Sequence, residues 1–263
     1  MTATLLTAAG TWAGWDMGYP ADIARAVIPG EWDALAAELG GEEFRQKYRW
    51  QPIGYPASFG PIPPAAPGAP SYAASVSQGV VEGVRLINQT PGPFILIGYS
   101  QGAEVTGRIE LELTTGSLQH RLADCPLHIT LGDPCRQEDD ETIGGGDGWG
   151  ISRLVIPHKT IRKVTYALPG DMYACTPKGE AGENMTAMYA LLTQLGGTPL
   201  ELWQAVMADD GLAHQLMDLT GKPLIGVVSL IQSLSRLVSF LQTQAHTSYR
   251  IDHAVQLLRE LDI

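Results

Sequence analysis

The residues best placed to do chemistry surround a serine set between two glycines, in the run Phe94-Ile95-Leu96-Ile97-Gly98-Tyr99-Ser100-Gln101-Gly102-Ala103. The apolar run ahead of Gly98 is too short for a helix and reads as a strand buried on both faces. After Gly102 the spacing turns helical, with Val105, Ile109 and Leu113 each four residues apart. Glycine, serine and glycine at alternate positions between a strand and a helix form a nucleophile elbow, a turn so tight that both flanking positions must lack a Cβ. The serine hydroxyl is then left exposed above the sheet edge, and the helix that starts there aims free N–H groups and its positive dipole end at the same spot. In a chain with 30 glycines the pentapeptide alone says little. The strand before it and the helix after it carry the reading of Ser100 as a catalytic serine.

A serine hydroxyl becomes a useful nucleophile only when an imidazole takes its proton and an acid holds that imidazole. On a strand–elbow–helix architecture the acid and then the histidine follow the serine, each on a loop at the C-terminal edge of the sheet. Of the six histidines, His120 and His128 come too soon after the elbow, and His158 leaves only the segment 124–147 for the acid. His214 falls in a helical pattern and His253 on the last helix. His246, in the loop Gln244-Ala245-His246-Thr247-Ser248-Tyr249, is where a general base belongs. For the acid, Asp171 follows a strand and a Pro169-Gly170 turn and is preferred to Asp133, whose Gly-Asp-Pro context is a favoured turn sequence. Asp209, Asp210 and Asp218 lie in a helical region away from strand ends. The oxyanion needs two donors: the backbone N–H of Gln101, and one from the loop Gly10-Thr11-Trp12, for which Thr11 is the candidate.

These residues need a scaffold. Thr4 to Ala8 reads as a first strand and Gly10 to Gly14 as the loop leaving it. Helical spacing recurs at Trp32, Leu35, Ala36 and Leu39. The prolines and glycines of 52–70 forbid regular structure and make a stiff surface loop, either a connector or the rim of a cleft. Ser71 caps a helix whose stripe is Val76, Val80, Val84 and Ile87. Leu127 to Leu131 and Val164 to Leu168 are further strands, and the acidic, glycine-rich 138–150 reads as a mobile surface loop. From about 183 to 245 the chain is helical: Met185, Met188, Leu192 and Leu195 make one stripe, and the apolar Leu224 to Leu241 packs on the sheet or seats a lipid tail. A last helix carries Ile251, Val255, Leu258 and Leu261. Strands alternating with helices imply a parallel sheet covered on both faces. The whole of 1–263 then reads as one α/β domain with a helical insertion at about 180–245.

Composition sets the outer limits. A formal net charge of −11 argues against nucleic acid or an anionic membrane surface as partner. The N-terminus has no basic residue ahead of its short apolar run, so it reads as a strand rather than a signal peptide. Leu224 to Leu241 is interrupted by Gln232, Arg236 and serines, so no membrane span or stable membrane insertion is expected. Cys125, Cys135 and Cys175 have no metal-ligand spacing and are expected as three buried thiols, with one disulfide and one free thiol the alternative.

Taken together, the Gly-Tyr-Ser-Gln-Gly elbow (98–102), the early Gly10-Thr11 pair, Tyr48-Arg49-Trp50-Gln51-Pro52-Ile53-Gly54, Gly170-Asp171-Met172-Tyr173 and the His246 loop before a closing helix resemble the lysin B family. Its members are esterases of phages that infect mycolate-bearing actinobacteria; the cutinases are more distant. Ala9 stands where the family often has histidine before Gly-Thr, and the stretches 61–70 and 144–148 are longer than usual. The resemblance implies an α/β-hydrolase fold with a helical insertion between acid and base. It also implies Ser100 as nucleophile, Asp171 as acid and His246 as base, acting without metal or cofactor on the ester between mycolic acids and arabinogalactan. A phage-encoded monomer made in the host cytoplasm and acting at the cell envelope after release is the matching biology. A general cutinase-type or lipase-type esterase, and a non-catalytic virion or binding protein that kept the fold, are the competing readings.

Overall fold

Strands with both faces buried build the centre of the molecule. The computed structural model describes residues 2–30, 39, 46–60, 62–66, 68–156, 160–194 and 243–263. Strands β1 (Ala3–Ala8), β2 (Tyr48–Pro52), β3 (Phe94–Tyr99), β4 (Leu127–Leu131), β5 (Glu141–Ile143) and β6 (Arg162–Tyr166) pair in parallel. They form one six-stranded sheet in the order β2-β1-β3-β4-β6-β5. Along β3 the period of two sends Ile95 and Ile97 to one face and Phe94 and Leu96 to the other. On the first face Leu5, Ile129, Leu131 and Val164 pack with Ile23 and Ala24 of α1 (Tyr19–Val27). On the second, Leu6 packs with Val76 and Ile87 of α2 (Tyr72–Gln89) and Val105 and Ile109 of α3 (Gln101–Thr114). Helix α4 (Glu180–Gln194) adds Tyr189 and Leu192 to that second core. The closing helix α5 (Asp252–Glu260) returns to the first with Ala254 and Leu258.

The expected elements at Thr4 to Ala8, Leu127 to Leu131 and the elbow strand are present, as is the Ser71 cap, whose Oγ accepts from the Ala74 N–H at 3.1 Å. The strand expected at Val164 to Leu168 runs two residues earlier, as β6. Two elements carry little signal in the sequence. Strand β2 ends in Pro52, but as an edge strand paired only to β1 it tolerates a residue with no N–H. Helix α1 begins with Pro20 in its first turn, where a missing donor costs nothing.

The segment 138–150 differs from the mobile loop expected of it. It contains β5, buries Asp140, and returns against 167–176 through Gly146 N–H to Ala167 O (3.0 Å) and the paired Trp149 and Thr176. Its acidic residues are partly structural rather than solvating. The helix expected around Trp32, Leu35 and Ala36, the helical insertion beyond Gln194, the stretch Leu224 to Leu241, His158, His214, Asp209, Asp210 and Asp218 lie outside the described residues. Among the described residues no helix is long and apolar enough to cross a membrane. Cys125, Cys135 and Cys175 are free thiols; the first two are buried and Cys175 is half-buried.

Lys163 fastens this edge of the sheet. Its Nζ lies 2.9 Å from Asp133 Oδ2 and 3.3 Å from Asp140 Oδ2, and all three side chains are buried. Burial alone would lower the lysine's pKa, but the two carboxylates outweigh it and hold the ammonium well above its usual range. Lys163→Met should destabilise the protein by about 3–5 kcal/mol, because it strands carboxylates in the interior. Urea unfolding at pH 7 measures this, and a loss under 1 kcal/mol would show the pair to be dispensable.

Candidate active site

All six strands run the same way, so the loops leaving β1, β3, β4 and β6 emerge at one edge. The strand order reverses between β1 and β3, and such a switch point opens a crevice at the C-terminal ends of the strands. Ser100 stands there. Its φ of 53° and ψ of −121° lie in a region that a residue with a side chain rarely adopts. The flanking glycines are required by contact. A Cβ on Gly102 would fall 2.1 Å from the Ala8 carbonyl oxygen, and one on Gly98 would fall 2.4 Å from Thr106 Oγ1. The Ser100 N–H is anchored to Leu131 O at 2.9 Å.

His246 sits on a short 3-10 turn, Ala245–Thr247, and its Nε2 is 2.9 Å from Ser100 Oγ. Its Nδ1 is 2.9 Å from both Oδ1 and Oδ2 of Asp171. Three side chains that are far apart in sequence thus form one hydrogen-bonded line. The imidazole lies between two aromatic rings, with centroids 5.2 Å away at Tyr99 and 4.6 Å away at Tyr173. The segment that carries it is tied to other elements: Tyr99 OH donates to His246 O at 2.8 Å, Tyr19 OH donates to Thr247 O at 2.5 Å, and Thr243 Oγ1 donates to Gly170 O at 2.8 Å.

Asp171 is fully buried. Burial pushes its carboxyl pKa up, but hydrogen bonds from His246, from Tyr249 OH and from the Tyr173 N–H (2.9 Å to Oδ1) outweigh this and leave it below the ordinary carboxylate value. With the folded-state value depressed, its contribution to stability is present above the ordinary carboxylate range and is lost only as pH falls through the lowered value. At neutral pH it is a carboxylate, which fixes the proton of His246 on Nδ1 and turns the Nε2 lone pair to Ser100.

The other acids and histidines near the sheet are engaged elsewhere. Asp133 also follows a strand, but it binds Lys163 and accepts from the Cys135 N–H at 2.7 Å. His128 is buried on β4, with Nδ1 2.6 Å from Glu110 Oε2 and Nε2 2.8 Å from Thr106 Oγ1. His253 contacts Tyr166 OH through Nδ1 at 2.7 Å, and His120 is exposed.

Gln101 opens α3, while its side chain ties the helix to the loop after β2, donating to Ser58 O at 2.9 Å and accepting from Ser75 Oγ at 3.1 Å. Thr11 is half-buried in a loop that passes directly over the elbow, since a Cβ on Gly10 would lie 3.5 Å from that of Ser100. That loop is fastened by Trp12 N–H to Ala57 O at 2.6 Å. Neither the Thr11 nor the Gln101 N–H has a hydrogen-bond partner among the described residues. No group of three or more His, Cys, Asp or Glu suited to a metal ion occurs among the described residues.

Gly132, at φ +56°, carries no signal of a site residue in the sequence, yet a Cβ there would lie 2.8 Å from His246 Cε1 and 3.2 Å from Asp171 Oδ2. Gly132→Ala should therefore displace the imidazole and lower turnover of a p-nitrophenyl ester by about a hundredfold, the usual cost of an ångström-scale misplacement. Initial-rate kinetics on the folded variant measure it; wild-type turnover would mean the site tolerates the shift.

No family model matches the sequence. Endolysin B of Mycobacterium phage D29 is 28% identical over 238 residues, which is 85% of this chain and 82% of that protein. Endolysin B of Mycobacterium phage L5 is 27% identical over the same shares. The crystal structure of lysin B from mycobacteriophage D29 covers 99% of this chain and 100% of its own, at 26% identity and a TM-score of 0.65. By sequence and fold together, the chain is similar to the lysin B proteins and has the α/β-hydrolase fold.

Proposed function

We propose that the protein is a serine esterase that hydrolyses the ester between mycolic acids and arabinogalactan in the envelope of a mycolate-bearing host, and so aids phage release. The observation that carries the chemistry is the line of 2.9 Å contacts from Ser100 to His246 to Asp171 on a strained elbow. Similarity to the mycobacteriophage endolysins supports the substrate.

In this mechanism Ser100 is the nucleophile, His246 the general base and Asp171 the acid that orients it. His246 Nε2 takes the hydroxyl proton as Oγ attacks the ester carbonyl, and Asp171 stabilises the imidazolium that forms. The N–H groups of Gln101 and Thr11 receive the oxyanion, helped by the positive end of α3. His246 then protonates the departing sugar oxygen. Water, deprotonated by the same imidazole, cleaves the acyl-serine and releases the fatty acid. None of these steps calls on a metal or cofactor.

Incubation with mycolyl-arabinogalactan should release free mycolic acid, and Ser100→Ala should reduce that release by at least about 10⁴-fold. Hydrolysis of short p-nitrophenyl esters without release of mycolic acid would make the protein a general cutinase-type esterase. A folded protein that hydrolyses neither would be a binding or virion component.

A further inference from the structure

We infer that Tyr249 is a positioning residue for the proposed esterase reaction: its phenol donates to Asp171 Oδ2 and holds the carboxylate in line for His246. The inference rests on the proposed function. Tyr249 is three residues beyond His246, on the same loop, so one short segment supplies both the base and a second ligand for the acid. Asp171 is buried completely, and each of its oxygens has a donor besides the imidazole: the Tyr173 N–H at 2.9 Å from Oδ1 and Tyr249 OH on Oδ2. With both oxygens engaged, the carboxylate cannot rotate away from Nδ1 without leaving an acceptor unpaired in the interior.

Tyr249 is itself positioned. Its ring is buried, its N–H donates to Tyr19 OH at 3.2 Å, and its ring meets those of Tyr19 and Tyr99 edge-on at 5.9 and 6.3 Å. The Asp171 carboxylate keeps the phenol protonated, as does burial, which has the larger effect. The groups facing Asp171 are His246 and Tyr249 from the histidine loop, the Tyr173 N–H from its own turn, and Gly132 beyond β4; the Cys175 thiol and the Tyr99 ring lie farther out. None of these besides His246 and Tyr249 offers Oδ2 a side-chain donor among the described residues.

Tyr249→Phe removes one oxygen from a ring whose packing remains. It should lower kcat on p-nitrophenyl butyrate about ten- to a hundredfold with KM unchanged, the worth of one hydrogen bond to a charge. Without the phenol the Asp171–His246 pair takes up a proton more readily, so the acid limb of the kcat profile should move to higher pH. In an Asp171→Asn background the same substitution should cost less than threefold, because its route to the reaction is gone. Wild-type kcat and pH profile in Tyr249→Phe, or an equal loss in both backgrounds, would overturn the inference. Should the variant fail to fold, 3-fluorotyrosine at 249 keeps the shape with a stronger donor, and the acid limb should move to lower pH; an unmoved limb contradicts the role. Wild-type protein and Ser100→Ala are assayed alongside. Absence of Ser100-dependent hydrolysis in the wild type would fail the esterase reading itself, whereas an unaltered Tyr249→Phe in an active enzyme would fail only this inference.

Discussion

The structure depends on one tight backbone crossing. Gly102 at the start of α3 lies so close to the carbonyls of Ala8 and Ala9 that no side chain fits between them. That contact locks the end of β1 against the turn that follows β3, and Ser100 is forced to a positive φ. A conformation of this kind costs about 1–3 kcal/mol and persists only where the surroundings over-determine it. Here they do: the serine's N–H is fixed to β4, and the helix it opens is packed against α2 and the sheet. The same crossing brings the Thr11 loop over the serine, so nucleophile and both proposed oxyanion donors are consequences of a single packing constraint.

The rest of the site is a problem of satisfying buried polar groups. His246 belongs to a turn of three residues with little packing of its own, and phenols from α1 and β3 hold its carbonyls in place. Asp171 is tolerated at full burial because each oxygen is donated to. Two further buried systems, Lys163 with Asp133 and Asp140 and His128 with Glu110 and Thr106, also set acidic side chains against basic or imidazole partners in the interior. What sets the Ser100 system apart is that its chain of contacts ends at a hydroxyl on a strained turn at the sheet edge.

Much of this was legible in sequence where a signal is local. The elbow announces itself through glycine spacing between an apolar strand and a helical pattern, and Leu127 to Leu131 through its run of apolar and β-branched residues. Chain order and position at strand ends point to Asp171 and His246, and the structure sets Asp171 against His246 and His246 against Ser100. Order could not separate Asp171 from Asp133 by much, since both follow strands; the difference is Lys163, thirty residues on and visible only after β4 and β6 pair. Strand β2 was hidden by its proline, and β5 by acidic and glycine-rich neighbours, because edge strands need little of the pattern that marks central ones. Tyr99 and Tyr173 lie inside recognisable motifs and Gly132 and Tyr249 do not, but the role of all four comes from what the fold places beside them.

The central claim is that Ser100 is activated by His246. The direct measurement is peptide mass mapping after treatment with an alkyl phosphonate that mimics the acyl-transfer transition state. The account predicts a single adduct on Ser100 that disappears in His246→Ala while the protein stays folded. An adduct on another residue, or labelling of Ser100 that persists undiminished without the imidazole, would contradict it.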